Sequence, residues 1–190
     1  VMTLAEPSLE FAVPPELEAT EPPEARGIPR DRVRLLVTSA GGNRIEDSRF
    51  DRLPAFLEPG DLVVANDTAT LPAALRARRA DGTEIAFHLS TRLGQGRWVV
   101  EPRRIAAMAG ERLTLPDAGS ATLRSPYLGS GRLWIAGLDL PEPVFDYLHR
   151  WGKPIAYDYI RGEWPLAAYQ TVYAREPGSA EMPSAGRAFS

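Results

Sequence analysis

The sequence predicts an α+β chain in which an all-β, barrel-like module interrupts a first domain. Three observations carry this. The chain has 190 residues with 44% hydrophobic and 25% charged residues and a mean hydropathy of -0.24, the profile of a folded globular protein rather than a disordered one. Between Ala73 and Gly137 short alternating segments recur with turn signals between them. After that module comes the clearest helical pattern of the chain, Pro141 to Trp151, which returns the chain to the first domain.

The elements follow in order. The first thirty residues are rich in Pro and Glu, and Pro14-Pro15 and Pro22-Pro23 force extended backbone, so this part reads as an arm lying over a core. Val33 to Val37 and Arg44 to Phe50 form a hairpin around Gly41-Gly42-Asn43. Asp51 caps a short helix that carries Leu53, Phe56 and Leu57 on one face and stops at Pro59-Gly60. Asp61 to Ala65, with Leu62, Val63 and Val64 in succession, reads as a strand buried on both faces that ends in the polar turn Asn66-Asp67-Thr68.

Within the inserted module the expected strands are Glu84 to Leu89, Arg97 to Val100, Arg112 to Leu115, Ala121 to Arg124 and Arg132 to Ile135. Asp81-Gly82, Gly94 to Gly96, Ala109-Gly110, Ala118-Gly119 and Gly129 to Gly131 separate them at the rhythm of an antiparallel barrel or small sandwich. In the helix that follows, Val144, Leu148 and Trp151 share a stripe and Gly152 stands at the C-terminal stop. Residues 1–72 and 138–190 are thus expected to be two segments of one domain, with 73–137 inserted between them.

Composition excludes several chemistries. With no cysteine there are no disulfides, thiolate metal sites or cysteine nucleophiles, and His88 and His149 lack ligand spacing, so no metal is expected. No apolar run is long enough to span a bilayer and Val1 to Glu10 has no signal-peptide pattern, which predicts a cytoplasmic protein. The net charge of -3 disfavours a general nucleic-acid coat. A local patch does exist. Arg76, Arg78, Arg79, Arg92, Arg97, Arg103 and Arg104 stand against Asp81, Glu84 and Glu101, an excess of four positive charges, and Arg76, Arg78, Arg79, Arg103 and Arg104 are the candidate RNA contacts. A solvated face of short strands is the alternative.

Three polar clusters are candidates for ligand contact. Asn66, Asp67 and Thr68 offer an amide, a carboxylate and a hydroxyl, though the same residue types also make ordinary capped turns. Alternation along Tyr169-Gln170-Thr171-Val172-Tyr173 places Tyr169, Thr171 and Tyr173 on one face, suited to stacking on a purine or deazapurine, or to pairing within a hairpin. Pro183-Ser184-Ala185-Gly186 is a small-residue turn that lets backbone approach a ligand closely at Ser184 and Gly186, without the glycine spacing of a phosphate-binding fingerprint. No residue is singled out as general base, and no oligomeric state is expected over another.

Taken in order, these segments resemble the S-adenosylmethionine:tRNA ribosyltransferase-isomerases of queuosine biosynthesis. The resemblance is carried by 11–17, 34–37, 50–53, Pro59 to Val64, the Asn66-Asp67-Thr68 turn, Leu71-Pro72-Ala73, the run from Tyr169 to Ser179 and Pro183 to Gly186. It implies an N-terminal portion of such a protein, with an α/β domain interrupted by a β-barrel-like domain. It also implies a transferase and isomerase reaction in which the ribosyl group of S-adenosylmethionine passes to 7-aminomethyl-7-deazaguanine in tRNA. The products are epoxyqueuosine-tRNA, adenine and methionine, with S-adenosylmethionine as co-substrate, tRNA as partner and no metal. The chain departs from the family pattern at Ala69 and Ala74, where Arg is usual, and at Ala188, where His is usual. A divergent S-adenosylmethionine- or RNA-binding paralogue without turnover, or a fragment inactive without its C-terminal half, are the alternative readings.

Overall fold

The structure is a computed structural model that describes residues 12–39 and 44–190. Strand β1 (Arg34–Thr38) pairs antiparallel with β2 (Ile45–Arg49), as the hairpin reading requires. Its turn at Gly41-Gly42-Asn43 and the resembling start at Phe11 lie outside the described residues. Phe50–Phe56 then forms a 3-10 helix capped by Arg49 without a side-chain hydrogen bond, so Asp51 is not its cap. Pro54 inside it lacks the amide a longer α-helix would need.

The apolar run Asp61 to Ala65 is not a buried strand. It joins no ladder, and Leu62, Val63 and Val64 are 87%, 54% and 83% exposed. Burial on both faces requires neighbouring strands, and among the described residues none lies beside it. The first strand after this run is β3 (Thr68–Thr70).

The inserted module is a closed antiparallel barrel. Its strands are β4 (Ala74–Arg78), β5 (Glu84–Gly94), β6 (Arg97–Pro102), β7 (Arg112–Thr114), β8 (Ser120–Pro126) and β9 (Trp134–Asp139). They are ordered β4-β5-β6-β9-β8-β7, and Arg78 paired with Thr114 closes the ring. Closure removes the free edges a small sheet would otherwise present. Inward positions alternate along each strand, as in Leu75 and Ala77, Ile85, Phe87 and Leu89, and Ala121 and Leu123, and all belong to one buried core. Strand β4 was absent from the expected set because Ala-Leu-Arg-Ala-Arg carries no β-branched or aromatic residue. The last expected strand is displaced to Trp134–Asp139. At the β5–β6 turn Gly94, Gln95 and Gly96 all have positive φ, which glycine alone adopts without a steric cost.

Helix α1 (Val144–Trp151) seals one end of the barrel. Tyr147 and Leu148 are fully buried in the barrel core, and the Tyr147 hydroxyl donates to the Pro116 carbonyl at 2.5 Å. Burial pushes that phenol up to about 12. The expected stripe is rotated, with Tyr147 inside and Trp151 exposed. Gly152 ends the helix, yet its φ of -88° is ordinary and its role is steric. A Cβ there would lie 1.9 Å from the Pro72 carbonyl oxygen and 2.6 Å from that of Leu148. Directly beside this contact, Ala74 and Lys153 exchange backbone hydrogen bonds of 2.9 Å each.

Strand β10 (Glu176–Ser179) pairs parallel with β3, and the whole barrel lies in the crossover between them. The Pro-rich arm consists of 3-10 turns at Pro15–Leu17, Pro23–Arg26 and Arg30–Arg32. It meets the segment after α1, where Arg161 N–H donates to Thr20 O at 2.7 Å.

Gly152→Ala is expected to lower the stability of the chain by roughly 3 kcal/mol, because both obstructing atoms are backbone. Gly131→Ala, with open space at its Cβ, should change it by less than about 0.5 kcal/mol. Urea denaturation midpoints of the two variants check this.

Candidate functional site

The three polar clusters, far apart in sequence, interlock around β3. The Asn66 side-chain oxygen accepts from Thr68 N–H at 2.9 Å and from the Thr68 hydroxyl at 2.7 Å, which closes a capped turn. The Thr68 hydroxyl also shares a short hydrogen bond with the Ser179 hydroxyl on β10. The Arg175 amide donates to Asp67 O at 2.8 Å, and the Leu71 amide to Ser179 O at 2.7 Å.

The segment from Tyr169 to Tyr173 is not a strand. Leu166–Tyr169 is a 3-10 turn, and Gln170 follows in extended conformation. The alternating face expected of Tyr169, Thr171 and Tyr173 is therefore not formed. The reason is local: the Gln170 side-chain amide takes the place of a ladder partner. Its oxygen accepts from Thr70 N–H and its nitrogen donates to Thr70 O, both at 2.8 Å, while the Thr70 hydroxyl donates to Tyr169 O at 2.9 Å. One side chain thus satisfies the backbone of a buried strand residue that would otherwise leave two polar groups unpaired.

The turn at Ser184–Gly186 packs against the same segment. A Cβ on Gly186 would come 3.3 Å from the Thr171 methyl, so glycine permits the approach. Arg187 donates to Ala168 O at 2.7 Å and to Glu24 at 2.8 Å, and Glu24 also accepts from Arg30 at 3.1 Å. Burial pushes the Glu24 carboxyl up, but the hydrogen bonds from Arg187 and the backbone, with the charges of Arg187 and Arg30, outweigh it and hold it below the usual carboxylate range. Phe189 sits edge-on to both Tyr173 and Phe50, with centroids 5.2 and 4.8 Å apart.

This geometry sorts the candidates. Asn66, Thr68 and Gln170 are committed to holding the cluster together. Among the described residues the Asp67 carboxylate and the Ser184 hydroxyl are exposed and make no side-chain hydrogen bond. Tyr169 is half-buried, and burial raises its phenol, so it stays a neutral donor. The Thr171 hydroxyl is buried with no hydrogen-bond partner among the described residues. The groups that reach the surface offer a carboxylate acceptor, two hydroxyls and an aromatic face, a set suited to a polar ligand. Ser179, Thr70, Glu24, Arg30 and Arg187 were not singled out from sequence. Each acts through a partner distant along the chain, and residue type alone carries no signal of that.

The basic stretch divides. Arg78 pairs with Glu84 at 2.8 Å and Arg79 with Glu111 at 2.6 Å, while Arg76, Arg103 and Arg104 gather at the outer face of β5 around His88. Among the described residues no group of three His, Asp or Glu side chains could hold a metal ion, and no helix is long and apolar enough to cross a membrane.

Comparison with known proteins decides the family. Residues 7–190 match the profile of a family described as queuosine biosynthesis protein. The chain belongs to the queuosine biosynthesis protein family. S-adenosylmethionine:tRNA ribosyltransferase-isomerases from Thermotoga maritima and Rubrobacter xylanophilus are each 37% identical to it over 95% of the chain and 52% of the relative. The one from Azoarcus sp. is 36% identical over 99% of the chain and 53% of the relative. The chain spans about half the length of the curated relatives it matches. A crystal structure of S-adenosylmethionine tRNA ribosyltransferase from Thermotoga maritima, 34% identical, aligns over 67% of this chain and 43% of that one with a TM-score of 0.33.

In this member of the queuosine biosynthesis family, Ala69 sits on β3 opposite Pro177, and Ala74 opens β4 between His88 and Lys153. Ala188 lies between Arg187 and Phe189, at the edge of the cluster.

Replacing Gln170 by Ala strands the Thr70 N–H and C=O, and should cost about 2–4 kcal/mol in chemical denaturation. The arm should also loosen in acid. A carboxyl whose folded pKa is depressed contributes stability above its unfolded value of about 4.3 and loses it as pH falls through the lower folded value. Limited proteolysis between residues 12 and 30 should therefore accelerate below about pH 4.3, and in Glu24→Gln it should be fast at neutral pH as well.

Proposed function

We propose that the protein is an S-adenosylmethionine-dependent tRNA ribosyltransferase-isomerase. In this reading it transfers and isomerises the ribosyl group of S-adenosylmethionine onto 7-aminomethyl-7-deazaguanine in tRNA, giving epoxyqueuosine-tRNA and acting in the cytoplasm. The observation that carries the reading is the convergence of Asn66–Thr68, Tyr169–Tyr173 and Ser184–Gly186 on one another around β3 in a member of the queuosine biosynthesis family. In our reading the segments before Ala73 and after Gly152 form the domain that carries this cluster, and the barrel module runs past the expected limit at 137, since β9 extends to Asp139 and α1 adds Tyr147 and Leu148 to its core.

The residues fit the co-substrate. The Asp67 carboxylate and the Ser184 hydroxyl suit ribose hydroxyls, and the rings of Tyr169 and Tyr173 suit adenine or the deazapurine. Gly186 lets backbone approach without a side chain in the way. The sulfonium of S-adenosylmethionine supplies activation of the adjacent carbon and makes methionine a leaving group. The chain's own contribution is then to orient the two substrates, to hold Asp67 exposed beside them, and to keep the phenol of Tyr169 protonated as a donor. Asn66, Thr68 and Gln170 position these groups without facing the ligand themselves.

A second reading is favoured by Ala69, Ala74 and Ala188, which stand where the family pattern has two guanidinium groups and an imidazole. Loss of two cations from a site that takes a carboxylate-bearing co-substrate and an RNA anion is not conservative. The paralogue of this reading binds S-adenosylmethionine or RNA without turnover.

Full-length protein incubated with S-adenosylmethionine and precursor-bearing tRNA should release adenine, measured by chromatography, and Asp67→Asn should slow this about tenfold or more. Calorimetric binding of both substrates with no adenine release would overturn the enzyme reading in favour of the binding one.

A further inference from the structure

Two adjoining hollows run along the outer face of β5, of about 410 and 510 Å³. They share Glu84, Ile85, Ala86, His88 and Ala156, so they are the two halves of one groove. Each half lies within the size range of small-molecule sites, roughly 300–1,000 Å³. Between the charges the lining is apolar at Ala86 and Ala156, and the buried His88 lines both halves. Burial and the nearby Arg103 push the His88 imidazole down, which leaves it neutral at neutral pH.

The rim carries Arg76, Arg103, Arg104 and Lys153 against Glu84 and Asp158, with the charges of Glu84 and Glu163 acting on Arg76. Arg76 makes no hydrogen bond among the described residues. Arg103 reaches Glu101 only at 3.7 Å. Arg104 pairs with Asp158 at 2.6 Å, but both side chains are more than 70% exposed, and an ion pair so solvated contributes little and exchanges readily for another anion. Next to Ala156 and Asp158, which line the groove, stand two exposed aromatics. Tyr157 and Tyr159 stack in parallel with centroids 5.6 Å apart at 9°. The Tyr157 hydroxyl donates to Glu181 at 2.6 Å, and that bond, with burial, pushes the phenol up to about 12. Glu181 belongs to the segment between β10 and the Ser184 turn, so the groove adjoins the candidate site.

Cations spaced along a groove, with an exposed aromatic pair beside it, are features that hold unpaired nucleotides, whose phosphates need charge and whose bases need stacking. We propose that the groove along β5 binds a single-stranded stretch of RNA, with phosphates on Arg76, Arg103 and Arg104 and a base stacked on the exposed face of Tyr159. The inference rests on the reading of RNA as a substrate and gives that substrate a path on the barrel. It also separates Arg78 and Arg79 from the RNA surface, since each is occupied by a glutamate.

The test is fluorescence anisotropy of a labelled RNA hairpin with an unpaired loop, titrated with the 190-residue chain at several salt concentrations. Arg76→Ala and Arg103→Ala should each weaken binding and lower the slope of log affinity against log salt by about one. Tyr159→Ala should weaken binding roughly 5- to 150-fold, and Tyr159→Phe should restore it. Arg112→Ala, on β7 away from the groove, should bind like the parent chain. Arg76, Tyr159 and Arg112 are exposed and Arg103 is half-buried, and equal thermal midpoints would verify the folding of all the variants. If the parent binds and the groove variants bind as well as it does, the groove is overturned while the proposed reaction stands. If the parent binds no RNA, the groove is again overturned, and the proposed reaction is judged separately by adenine release.

Discussion

The close approach of Gly152 to the Pro72 carbonyl is the contact on which the rest of the structure depends. A module inserted into another domain must leave and return at nearly one point, and here that point is a pair of backbones with no side chain between them. The adjoining hydrogen bonds of Ala74 and Lys153 extend the contact, and α1 delivers Tyr147 and Leu148 into the barrel end from the same place. Upstream, Thr70 is gripped by Gln170 and Leu71 by Ser179. The stretch from Thr68 to Ala74 is therefore a hub whose one end orders the polar cluster and whose other end opens the barrel. Strain introduced at Gly152 would be felt at both.

Much of the barrel was legible in the sequence because its physics is local. Alternation in Ile85, Phe87 and Leu89 and the glycines at Gly82, Gly94 and Gly110 report strand faces and turns without reference to anything distant. The β1–β2 hairpin and α1 were legible for the same reason. Elements whose state depends on partners were not. Ala74–Arg78 has little strand propensity of its own and becomes β4 through its neighbours β5 and β7. Asp61 to Ala65 has the composition of a buried strand but no neighbours among the described residues. Tyr169–Tyr173 has β-prone residues, yet its hydrogen bonding is settled by one amide side chain.

The candidate site shows the same division. Its positions were legible as polar motifs, since amides, hydroxyls and small residues cluster there. Which of them hold the scaffold and which remain open to a ligand was not, because that depends on pairs such as Thr68 with Ser179 and Thr70 with Gln170. The charge count behaves likewise. An excess of positive charge read along the chain overstates the surface, because Glu111 and Asp158 arrive from other elements to pair with Arg79 and Arg104.

The exposed run Leu62-Val63-Val64 has a consequence for how the chain behaves at high concentration. A β-prone apolar segment outside any ladder can pair with the same segment of another molecule, forming the hydrogen bonds its own fold does not supply. Pro59, Asp61 and Asp67 flank it, and a proline and charges at the borders of such a run limit how far an added sheet can grow. Because this tract lies outside the closed barrel, a few flanking residues are what keep it from acting as a template.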